Sequence, residues 1–230
     1  MTKSANRLKG IIAELADAYG PPVPPGRLTA LEMILQENVA YLVSDAKRQA
    51  AFQALAGRIG TTPSEILAAP RAALLGVAQL GGMLPDSRVE KLINIARLTM
   101  EEFGGNLQVA LKQTETRAKK SLMKFSGIGE PGAEKILLYT RTFPILALDS
   151  NALRVLIRIG YGKETGSYSK TYRSVREAIK DEVTGDYDWL IRANQLLTRH
   201  GKTICRRTGP LCEVCTLSST CNFFAIRQPG

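Results

Sequence analysis

Four cysteines close to the C-terminus are the most concentrated chemistry in this chain: Cys205, Cys212, Cys215 and Cys221, separated by six, two and five residues. Four thiolates on one short loop suit an iron–sulfur cluster or a structural zinc. Zinc modules usually carry two Cys-x-x-Cys knuckles, and here only Cys212 and Cys215 have that spacing. Disulfides are the other option. The opening MTKSANRLKG has no apolar core of a secretory signal, and clustered cysteines in a cytosolic chain favour metal over disulfides.

A second stretch, FSGIGEPGAEKILLYTRTFPILALDSNALR, opens with the Gly127-Ile128-Gly129 turn and runs into a helical pattern with Pro131 in its first turn. Glycines permit a sharp turn and a close approach of a ligand to the main chain. The amides of a helix start add free donors and a positive dipole end. Together these form an anion site, and phosphate is its natural guest. After Pro144 the chain reaches Asp149, where a third apolar helix begins. Asp149 is either a plain helix N-cap or a carboxylate fixed for chemistry.

The elements that must position these groups are helices. Residues 4–19, about 28–40 and 44–59 each place apolar side chains at helical spacing. Pro21, Pro22, Pro24 and Pro25 break the chain between the first two. Thr62-Pro63-Ser64-Glu65 reads as a capping box with proline at the first helical position. A helix over 89–103 is capped by Asp86 or Ser87 and follows the glycine loop Gly81-Gly82-Met83-Leu84-Pro85. Further helical patterns lie at 106–126, 150–159, 169–183 and 187–200, and the only histidine, His200, ends the last as a dipole partner. No segment alternates over the length of a strand, so the fold class is all-α.

With 31 Lys and Arg against 21 Asp and Glu, the formal charge is +10, which suits a polyanion such as nucleic acid. No apolar run approaches the ~18 residues that cross a bilayer. A cytoplasmic, nucleoid-associated location is expected.

The 6-2-5 cysteine spacing, the Gly127-Ile128-Gly129 hairpin and the segment LDSNALRV at 148–155 occur in one chain in this order. In that combination the chain resembles the endonuclease III-like DNA glycosylases, over roughly 25–222. The resemblance implies two helical lobes flanking a DNA-binding cleft. One is 26–143, a six-helix type ending in the helix–hairpin–helix. The other joins 1–25 to 144–230 and carries the cysteines, which would ligate one [4Fe–4S] cluster. It implies a monomer that binds double-stranded DNA holding a damaged or mismatched base, flips that base out and hydrolyses its N-glycosidic bond. Asp149 would stabilise charge on the sugar, and Glu32, in an E-x-x-L-Q segment, would act as an acid on the leaving base. Gln36 and Asn38 would probe the strand, Met83 or Leu84 would wedge into the stack, and Gly127, Ile128, Gly129 and Lys124 would hold phosphate. Lys119 and Lys120 gather near the same hairpin. Lyase-active members carry a lysine where this chain has Pro131, so it is expected to be monofunctional; Lys135, one turn on, is the alternative nucleophile.

Overall fold

The computed structural model describes residues 7–24 and 26–227. Residues 4–6 of the first expected helix, Pro25 at the expected lobe boundary and residues 228–230 lie outside the described residues. Among those described the chain is helical and has no strand; one isolated parallel bridge pairs Tyr41 with Gly82. Two compact units form: Met1–Pro25 with Pro144–Gly230, and Gly26–Phe143.

The first unit begins with α1 (Arg7–Tyr19), whose Leu8, Ile11, Ile12 and Leu15 are buried on one stripe. The Gly26–Phe143 unit runs through α2 (Ala30–Asn38), α3 (Asp45–Arg58), α4 (Pro63–Ala68), α5 (Arg71–Leu80), α6 (Pro85–Phe103), α7 (Gln108–Leu111), α8 (Glu115–Leu122) and α9 (Glu130–Tyr139). The first unit resumes with α10 (Ser150–Arg158), α11 (Tyr168–Ile179), α12 (Tyr187–Thr203) and the short α13 (Asn222–Arg227). Two 3-10 turns precede α13 inside the cysteine loop.

Helix starts follow local chemistry. Thr62 and Glu65 form the expected capping box of α4, and Thr29 and Glu32 form a second one at α2. The start of α6 departs from expectation. The helix begins at Pro85, and its N-cap is Leu84 in the left-handed region at φ 57°, with no side-chain cap. Proline's fixed φ suits a first helical position, so neither Asp86 nor Ser87 serves as the N-cap.

Candidate active site and cysteine loop

The hairpin sits between α8 and α9. Gly127 has φ +77°, where side chains are strained, and a Cβ there would lie 3.2 Å from Asn38 Oδ1. Gly129 is the extended N-cap of α9 and could be another residue on conformational grounds. The Ile128 side chain is buried, and its amide donates to Phe125 O at 3.1 Å. The amides of Gly127 and Gly129 find no acceptor among the described residues, and both glycines are exposed. They can therefore donate to an anion at the start of α9. Pro131 is the second residue of α9 rather than the first. Its missing N–H falls among the amides a helix start leaves free.

The nearby lysines divide by partner. Lys119 meets Glu115 at 3.2 Å, Glu134 at 3.2 Å and Glu130 at 3.8 Å, and Glu134 is buried. Burial works against the Lys119 charge, but the Glu134 and Glu115 carboxylates outweigh it and hold the ammonium above its usual range. This cluster braces α8 on α9. Lys124 is exposed and ion-pairs with Glu102. Lys120 is exposed with no carboxylate partner among the described residues.

Asp149 is the N-cap of α10, and its Oδ1 accepts from the amides of Asn151 at 3.0 Å and Ala152 at 2.8 Å. Among the described residues its Oδ2 accepts only from Asn151 Nδ2, at a longer 3.3 Å. The capping and chemical readings therefore use different oxygens. The buried run Ile145, Leu146, Ala147, Leu148 delivers Asp149 to this place. Arg176 Nη1 donates to Leu146 O at 3.0 Å, and Asn194 Nδ2 to Ala147 O at 2.9 Å. Arg154, on α10, donates to Asn151 Oδ1 at 2.9 Å, Gly201 O at 2.7 Å and Cys205 O at 2.8 Å. It links the Asp149 corner to the cysteine loop. α12 lies so close that a Cβ on Gly201 would fall 2.6 Å from Asn151 O. Tyr168 is a further neighbour: half-exposed at the start of α11, it stacks on Tyr172 at 6.2 Å. Burial, then the Asp149 charge, raises its phenol pKa.

The Gly26–Phe143 unit holds the remaining expected residues, and two differ in placement. Glu32 Oε2 accepts from the Thr29 amide at 2.8 Å and hydroxyl at 2.9 Å, while Oε1 accepts from the Thr61 hydroxyl at 3.2 Å. It is tied into the helix cap of α2. Asn38 is buried at 5% exposure; its Nδ2 donates to Ile34 O and to Ser126 O, both at 2.9 Å. It supports the hairpin from within and does not sit on the surface as a strand probe. Gln36 is partly exposed and donates to Gln49 Oε1 at 2.8 Å. Met83 and Leu84 are 66% and 63% exposed, as a wedge requires.

The cysteines are free thiols, each partly buried. All four line one pocket with Arg158, Leu211, Phe223 and Phe224. Arg158 Nη1 lies 3.3 Å from Cys205 Sγ and donates to Arg206 O at 2.8 Å, while its guanidinium covers the Phe223 ring at 4.2 Å. Burial pushes the Cys205 thiol up and that of Cys215 up to about 11. His200 is fully buried between Tyr19, 2.7 Å from Nδ1, and Cys215, 3.5 Å from Nε2. Burial lowers its pKa to about 4, so it is neutral packing rather than a charged dipole partner. No three His, Cys, Asp or Glu side chains among the described residues are gathered to hold a single metal ion. No described helix is long and apolar enough to cross a membrane.

No family model matches the chain. It is 27% identical over 169 residues to the endonuclease III of Thermotoga maritima, covering 74% of this chain and 72% of that protein. It is 26% identical over 200 residues to the endonuclease III of Sulfolobus acidocaldarius, covering 85% and 81%. Among solved structures, a trapped endonuclease III–DNA covalent intermediate superposes with TM-score 0.74 at 17% identity, covering 98% of this chain and 99% of that one. A thermostable thymine-DNA glycosylase superposes with TM-score 0.71 at 17% identity, covering 95% and 97%. The helical fold with its glycine hairpin is thus that of the helix–hairpin–helix glycosylases. In sequence the chain is similar to endonuclease III proteins.

Proposed function

We propose that this chain is a base-excision DNA glycosylase that extrudes a damaged or mismatched base from duplex DNA and hydrolyses its N-glycosidic bond without cutting the strand. The observation that carries the reading is Asp149, whose Oδ1 is held by two amides while Oδ2 keeps only one long contact among the described residues. Departure of the base builds positive charge at C1′ of the sugar, and a carboxylate fixed in advance stabilises that charge without reorganising. The free amides of Gly127 and Gly129, with exposed Lys120, take the DNA phosphates. Lys124 contributes once released from Glu102.

Absence of strand cleavage rests on Pro131, which has no amine to attack C1′. Lys135 does not replace it. Its ammonium lies 5.7 Å from the Tyr139 ring centroid, one turn further along α9 and away from the hairpin. Glu32 serves as the cap of α2 in this reading, not as the acid.

The cysteines would hold one [4Fe–4S] cluster, whose contribution is to fix the loop. Four free thiols converge on one mostly apolar pocket, with Arg158 beside Cys205 to offset thiolate charge.

A panel of duplexes, each with one lesion, tests the function. Abasic sites should form on at least one and break only on heating with alkali, with no borohydride-trapped adduct. Trapping that disappears in Lys135→Ala would establish a lyase. Binding without abasic sites on any duplex would leave a DNA-binding module.

A further inference from the structure

Arg88, in the first turns of α6, is 3% exposed and has no carboxylate partner among the described residues. Its Nε and Nη2 donate to Ala78 O at 3.3 and 2.9 Å, and Nη2 also to Gly82 O. Nη1 is buried with no acceptor among the described residues. A buried cation without a counter-charge is unfavourable, and an apolar side chain of similar length would fill the same space. What the guanidinium does is clamp the last turn of α5 to the glycine loop.

That loop is seated on another. Tyr41 donates its amide to Gly81 O at 3.0 Å. A Cβ on Gly81 would lie 2.0 Å from Val39 O, and one on Gly82 2.8 Å from Val43 Cγ1. Each loop then turns outward through a leucine in the left-handed region: Leu42 at φ 52° and Leu84 at φ 57°. They are 76% and 63% exposed. Neither the backbone nor burial favours leucine at these places.

We propose that Arg88 is a positioning residue that locks loops 39–43 and 81–84 into one two-pronged apolar tip. Leu42 forms one prong and Met83–Leu84 the other, and the tip fills the gap in the base stack left by an extruded nucleotide. This rests on the extrusion step of the glycosylase reading.

The test needs no bond cleavage. A duplex carries a tetrahydrofuran abasic analogue with 2-aminopurine beside the opposing base, and unstacking raises its fluorescence. The unaltered protein should produce that rise. Arg88→Met should lose it while keeping the affinity and salt dependence of binding to undamaged duplex. Leu42→Gly and Leu84→Gly should each lose most of the rise while holding or raising the Tm, because glycine relieves the left-handed turn. A structural role alone would not separate these readouts. If Arg88→Met fails to fold, Arg88→Lys and the two glycine variants decide. A full rise in folded Arg88→Met or Arg88→Lys, or in Leu42→Gly, overturns the proposal, as does no rise with the unaltered protein. A protein that unstacks the duplex but excises no base leaves the tip standing and sinks the glycosylase reading.

Discussion

Replacing Asp149 by asparagine separates its two jobs. Asparagine keeps an Oδ1, so the amides of Asn151 and Ala152, now 3.0 and 2.8 Å away, retain their acceptor. Asn and Asp are comparable N-caps. The Oδ2 position becomes an NH2 facing the Asn151 Nδ2 donor at 3.3 Å. That lost hydrogen bond costs about 1 kcal/mol. For a chain of this size the Tm should fall by only about 2–4 °C. The chemical loss is larger. Removing one pre-aligned charge-stabilising group costs roughly 3 kcal/mol, a more than 100-fold slower excision step. Single-turnover excision on the substrate found in the lesion panel measures this, beside a melting curve and binding to abasic-analogue duplex. Asp149→Ala provides the contrast, losing the cap as well, about 1 kcal/mol more. Excision within tenfold of the unaltered protein in a folded Asp149→Asn variant would refute the reasoning. Asp149 would then be a cap and nothing more.

Other perturbations test the surroundings. Gly127→Ala should weaken binding to every duplex sequence alike, since it puts a side chain at φ +77° beside Asn38 and strains the turn by ~1–2 kcal/mol; filter binding of damaged and undamaged duplexes checks this. Cys215→Ser should strip the visible absorbance and iron from purified protein; zinc in place of iron in the unaltered protein would overturn the cluster. Lys120→Ala should reduce the slope of log affinity against log salt by about 1. Lys119→Ala should leave that slope unchanged and lower the Tm, because it leaves the buried Glu134 without this ammonium.

What the sequence made legible was whatever depends on neighbours along the chain. Helix periodicity, the Thr62–Glu65 cap and the turn at Gly127 are local, and the structure has them. The capping box at Thr29–Glu32 has the same pattern and was equally readable. The E-x-x-L-Q resemblance drew attention to Glu32 as an acid instead. The resemblance makes Asn38 a strand probe at the end of a helix. Its partner, Ser126 O, lies 88 residues away, and no periodicity announces that bond. Arg154, Arg176 and Asn194 were invisible as site residues for the same reason. Each acts by donating to main-chain carbonyls brought near only by the fold. Asn194 did leave a trace, as a polar residue on the apolar face of α12.

The charge balance is also reshaped by folding. The formal +10 counts every ionisable side chain equally. Several acids are consumed inside the structure. Glu134 is buried against Lys119, and Glu182, 7% exposed, accepts from the Leu8 amide at 2.6 Å and the Tyr161 hydroxyl at 3.0 Å. Glu32 and Glu65 are occupied by caps. Some cations are consumed too: Arg88 and Arg154 turn inward to carbonyls. The contacts of a polyanion therefore follow which cations remain unpaired at the surface, not the total. Lys120, exposed in the last turn of the helix that leads into the hairpin, is such a cation. Its loss should accordingly weaken binding to duplexes of every sequence equally, whereas a residue of the apolar tip should matter only where a base has left the stack.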